Sequence, residues 1–177
     1  MSAPAAPKGG LLSRFRRGKE GSVAIEFGML ALPFALVVFA VLESCISFAA
    51  QQLMSNATDD IARQFRTGAI KTISEDDLKK KICAEIGLLA GSESSCTARM
   101  DVDVRAFNTF SDANAVRIRV VNKQLDKSGF AVNPGGTGTR NMLRVFYRWP
   151  TVTNFMQASM SNLNSGEILH VATAVWK

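Results

Sequence analysis

The chain has 177 residues, 47% hydrophobic and 20% charged, with a formal net charge of +6. That length leaves room for one domain plus an appendage. Residues 1–21 carry five basic side chains (Lys8, Arg14, Arg16, Arg17, Lys19) against one acid, Glu20, so about +4 of the charge precedes residue 22 and the remainder is close to neutral. This distribution argues against a nucleic-acid-binding body, which spreads Lys and Arg over a folded face, and fits the cytoplasmic flank of a membrane span.

In chain order, residues 1–13 are rich in Ala, Pro and Gly without periodicity and read as unstructured. Leu11, Leu12 and Phe15, set among arginines, suit contact with a membrane surface. An apolar run follows from Val23 to about Ala50, with no charge between Phe27 and Leu42. About 20 helical residues cross a hydrocarbon core of roughly 30 Å, so the run is long enough to span one. Glu26 stands near its start. A carboxylate at the centre of a bilayer costs roughly 2.5–3.5 kcal/mol on insertion scales, so such a residue calls for a partner or a task. Pro33 predicts loosening or a kink near Leu30–Pro33, and Glu43 is expected at the far interface, reaching water. Basic residues before the span and none directly after it place the N-terminus in the cytoplasm and the rest outside.

A cleaved secretory signal ending near Ser47-Phe48-Ala49 is the rival reading. The uncharged run is longer than the 7–15 residues of a signal core, and the helical pattern continues. Leu53, Met54, Ala57, Ile61, Ala62 and Phe65 recur at spacings of three and four up to Gly68, a C-capping glycine. One helix from about Val23 to Thr67 is therefore predicted, with a domain packed on its amphipathic half.

Ser74 followed by Glu75, Asp76 and Asp77 reads as an N-cap with acids in the first turn. Leu78, Ile82 and Ile86 give the stripe of a second helix over about Glu75–Leu89, and residues 91–95 a loop. From Met100 the period becomes two. Strands are predicted over 100–106 and 116–120 with a turn at Asp112–Asn114, over 143–149 stopped by Pro150, and over 168–176. Residues 122–141, with Asn133-Pro134-Gly135-Gly136-Thr137-Gly138, read as a flexible loop. Residues 154–163 read as a helix burying Phe155, Met156, Met160 and Leu163. The fold class is α+β, a long N-terminal helix packed on a small antiparallel sheet domain. The expected organisation is a basic leader (1–21), a membrane helix (22–50), its continuation outside (51–70) and an α+β domain (71–177).

The motifs of catalysis are missing from the sequence: it holds no phosphate-binding glycine loop, no HExxH and no GxSxG. The single histidine, His170, reads as structural. Asp101 and Asp103 share a strand face and suit a cation, although ion pairs with Arg105, Arg117 and Arg119 are the simpler reading. With no CxxC and one histidine a zinc site is not expected, and no cofactor is implied. Cys83 and Cys96 can pair if their region is exported, for a gain on the order of 3 kcal/mol from loop entropy; two unrelated thiols are the alternative. Cys45 reads as a small packing residue.

Gly21-Ser22-Val23-Ala24-Ile25-Glu26 resembles the type IV prepilin cleavage motif, in which a membrane aspartyl peptidase cuts after a glycine and a glutamate stands fifth in the mature chain. Residues 21–27 with Leu32-Pro33, Glu43, Ala57, Ile61-Ala62-Arg63 and Thr67-Gly68, and beyond them Val145–Pro150 and the last strand, resemble the TadE-like minor pilins (pseudopilins) of the tight-adherence, or Flp, pilus system. The resemblance implies a pilin-like fold, a processing site at Gly21 and Ser22, and Glu26 as a helix-register residue for assembly. It implies as partners a prepilin peptidase, other pilins of the system, an inner-membrane assembly platform and the lipid bilayer. The implied location is the bacterial inner membrane, crossed once, with the C-terminal domain in the periplasm and a role in adhesion and biofilm formation. Ser22 departs from the phenylalanine usual at mature position one. A type II secretion pseudopilin, which favours Phe or Met there, and an uncleaved membrane-anchored periplasmic protein are the competing readings.

Overall fold

The computed structural model describes residues 20–136 and 138–177. The expectations for residues 1–13, and for Leu11, Leu12 and Phe15, lie outside the described residues. The described residues fall into two units, the first ending at Phe39 and the second running from Ala40 to Lys177.

Helix α1, Glu20–Arg66, runs through both, and Pro33 lies inside it without ending it. Its terminus forms where the sequence places it. Thr67 N–H donates to Arg63 O and Gly68 N–H to Phe65 O. Gly68 takes φ +75°, the left-handed conformation that a glycine adopts without steric cost. In the first unit the described part of α1 carries Phe27, Met29, Leu30, Leu32 and Phe34 exposed.

In the second unit α1 is followed by α2 (Glu75–Ile86), a 3-10 turn (Gly87–Ala90), α3 (Glu93–Arg99), β1 (Met100–Phe107) and α4 (Phe110–Ala115). Then come β2 (Val120–Val121), β3 (Gln124–Leu125), β4 (Val132–Asn133), β5 (Arg140–Trp149), α5 (Asn154–Met160) and β6 (Ile168–Trp176). The main sheet has the order β4-β1-β5-β6. The long pairs β1–β5 and β5–β6 are antiparallel. The two-residue β4 lies parallel on the outer edge of β1, which makes the sheet mixed.

The pleat sorts side chains between the two sheet faces. Met100, Val102, Val104, Leu143, Val145, Tyr147, Trp149, Ala172, Ala174 and Trp176 form one core with Ala50, Met54, Ala57, Ile61 and Phe65 of α1 and Leu78, Ile82 and Ile86 of α2. Phe65 stacks on Trp176, ring centroids 5.4 Å apart. Full burial of a side chain such as Ile61 contributes about 1.5–3 kcal/mol. Cys83 of α2 and Cys96 of α3 are disulfide-bonded, Cα atoms 6.0 Å apart. Cys45, expected to pack, is exposed on α1.

Several local expectations change. Residues 116–119 are not a strand: β1, the strand before them in the chain, already has β5 on one side and β4 on the other. Only Val120–Val121 pairs, with Gln124–Leu125, in a separate hairpin turned by Asn122 and Lys123 at φ 51° and 57°. The turn expected at Asp112–Asn114 is helix α4, opened by a capping box between Thr109 and Asp112. The loop at 91–95 gives way to α3 from Glu93, capped by Ser92. The second helix ends at Ile86 rather than Leu89, because Gly87 takes φ +55°. Helix α5 stops at Met160, whose side chain is exposed, while Leu163 is buried beyond the helix. The side chains of Phe155 and Met156 lie outside the described residues.

Candidate functional site

The residues singled out by the sequence begin α1. Gly21 and Ser22 lie in its first turn, and Glu26 stands four residues after Ser22, one turn on, with its side chain exposed. From Val23 to Leu42 none of the side chains is buried. The mean hydropathy reaches 2.4 over an 18-residue window, so α1 is long and apolar enough to cross a membrane. Twenty residues at 1.5 Å each rise about 30 Å, the thickness of a hydrocarbon core. A helix that is apolar all round suits lipid or other helices rather than water.

The first charge after this run is Glu43, and the structure gives it a role that the sequence did not reveal. Its carboxylate accepts hydrogen bonds from Val152 N–H (2.6 Å), Thr153 N–H (3.2 Å) and the Thr153 hydroxyl (2.7 Å). The expected water-facing acid is instead partly buried and holds the segment that leads into α5. The two partners are 109 and 110 residues apart in the chain, a distance that local pattern does not span.

One and two turns on, Ser47 and Gln51 continue this polar stripe. Ser47 is buried, with its hydroxyl 3.0 Å from His170 Nε2. The Gln51 amide donates to Val171 O at 2.9 Å. Glu43, Ser47 and Gln51, spaced by four, thus join α1 to the loop before α5 and to β6; the apolar stripe from Met54 to Phe65 takes over beyond them. His170 packs beside Trp149, ring centroids 5.9 Å apart, and burial lowers its pKa, favouring the neutral imidazole. That agrees with a structural histidine.

The aspartates considered for a cation are met by the protein's own cations. Asp103 and Arg144 face each other in register across β1 and β5, 2.6 Å apart, and Arg105 reaches the same carboxylate at 2.8 Å. Ala131 N–H also donates to Asp103. Asp101 pairs with Arg148 and Lys127, each at 2.8 Å. Ion pairs therefore form, and Arg105 takes part as expected. The other arginines come from β5 in place of Arg117 and Arg119, because those two lie outside the main sheet. Arg144 also donates to Val116 O, tying the irregular segment over this face. Among the described residues no cluster of His, Cys, Asp and Glu is placed to hold a metal ion.

Residues 21–63 match the family model described as TadE-like protein. The match starts at the glycine of the motif and ends within α1, three residues short of its terminus. No curated protein and no solved structure gives a match.

Proposed function

We propose that this chain, TadE-like over residues 21–63, is a single-pass minor pilin (pseudopilin) that supports assembly of a Tad-type pilus, and hence surface adhesion and biofilm formation. The observation that carries the reading is the coincidence of that match with one uninterrupted helix, apolar and exposed at its start and packed under a sheet at its end. In this reading residues 1–21 are a cytoplasmic leader, 22–50 cross the inner membrane with 43–50 at its outer interface beside the domain, 51–70 continue the helix into the periplasm and 71–177 form the periplasmic domain. The Cys83–Cys96 disulfide supports an oxidising compartment for that domain.

A prepilin peptidase cuts between Gly21 and Ser22. The cut removes the basic segment that holds the chain to the cytoplasmic face. It also creates an α-ammonium at Ser22, one helical turn from Glu26. Each charge is costly alone in a low dielectric; pairing them, within one helix or between neighbouring subunits, reduces that cost. Glu26 then sets the register in which this helix packs against other pilins, above an inner-membrane assembly platform. The reading requires no cofactor, metal or nucleic acid.

The test separates the two roles. Gly21→Trp leaves a persistent full-length band, whereas Glu26→Gln is processed but fails to support pilus production. Normal processing of the first variant, or unaltered pili with the second, contradicts the assignment.

A further inference from the structure

We propose that the loop Pro150–Thr153 is a second membrane contact, seated in the headgroup layer of the bilayer. This rests on the reading that α1 spans that bilayer. Val152 is 87% exposed, more than any other large hydrophobic side chain among the described residues. Four donors of the loop are turned inward. The N–H groups of Val152 and Thr153 and the Thr153 hydroxyl donate to Glu43. The Thr151 hydroxyl donates to Gly166 O at 2.7 Å. Pro150 has no N–H to offer. The loop therefore turns these donors towards the protein and its one large apolar side chain away from it.

Glu43 fixes the height of this loop along α1. On the uncovered side of the helix, Val41, Leu42, Ile46 and Phe48 are 56%, 52%, 47% and 65% exposed. Polar residues take over this side only afterwards, at Gln52, Asn56 and Asp59. Phe48 stands about 7.5 Å beyond Glu43 along the axis. The segment held by Glu43 thus lies on the apolar side of the level at which α1 becomes water-compatible. The occupant that fits this uncharged, outward-facing loop is the bilayer interface, into which amphipathic surfaces sink by about 5–10 Å.

The experiment uses the full chain with Cys45→Ser, reconstituted into phosphatidylcholine vesicles. Single cysteines at Val152→Cys, Leu36→Cys or Ser128→Cys carry an environment-sensitive fluorophore. Lipids bear nitroxide quenchers either near the headgroup or deep in the acyl chain. The expected result is blue-shifted emission at position 152, quenched by the headgroup nitroxide. Position 36 is quenched by the deep nitroxide, and position 128 by neither. A label at 152 that behaves like the one at 128, with 36 still quenched, overturns this contact and leaves the spanning helix intact. Absence of quenching at 36 overturns the spanning helix, and this contact with it.

Discussion

Asp103 and Arg144 retain 1% and 5% of their side-chain exposure and hold each other at 2.6 Å. Two charges in such a place are stable only together: deleting one partner strands the other, at a cost of about 3–5 kcal/mol, whereas replacing both by apolar groups of similar volume is often neutral. Asp103→Ala should therefore lower the unfolding free energy by about 3–5 kcal/mol in a denaturant titration, and Asp103→Leu combined with Arg144→Met should recover part of the loss, Arg105 turning to water and Ala131 N–H and Val116 O losing their partners. The alternation of acids along β1 was visible in the sequence. Their partners were not, since which arginine faces which aspartate depends on the register of β1 against β5, formed by chain some forty residues away. His170 gives the second residue-scale prediction. Burial holds its pKa below the ordinary 6.5, so the unfolded chain takes up a proton over a range where the folded chain does not. The contribution to stability is fully present above about pH 6.5, declines as the pH falls below it, and is wholly lost below the folded-state value. His170→Gln should flatten this part of the stability-versus-pH curve, as measured by thermal melts from pH 8 to 5; an unchanged slope would show that another group dominates it.

At the scale of elements, α1 divides its work along its length. The stretch up to Leu42 is apolar and uncovered, Glu43, Ser47 and Gln51 make polar attachments, and Met54, Ala57, Ile61 and Phe65 enter the core. Ile61→Ala should cost about 2–5 kcal/mol by leaving a cavity beneath the sheet. Leu30→Ala, 73% exposed in the structure, should change the melting of the sheet domain by less than about 0.5 kcal/mol. Equal losses from both would contradict this division. The first half of the long helix was legible as an apolar run long enough to span a bilayer, and its second half, β1, β5 and β6 because each carries a period of 3.6 or 2. Residues 116–119 carried the same period of two without joining the main sheet: pattern reports which residues alternate, not which strand, if any, they pair with. Helix α4 was missed because six residues are too few for periodicity, although Thr109 with Asp112 three residues on was a capping signal already in the sequence.

At the scale of the molecule, the candidate site was legible as a motif and only partly as a structure. Gly21, Ser22 and Glu26 could be named from the resemblance to the prepilin motif because that motif is local. The Glu43 attachment could not, because it closes a loop of more than one hundred residues. The family match ends at residue 63, inside α1, and leaves the sheet domain as the part that distinguishes this chain from the TadE-like segment itself. In the proposed reading the basic leader is removed between Gly21 and Ser22 and the remaining helix does the assembling. Intact-mass and N-terminal peptide mass spectrometry of the protein from membranes is then expected to find a mature chain beginning at Ser22; a chain that keeps Met1, or one that begins near Ala50, would overturn that reading.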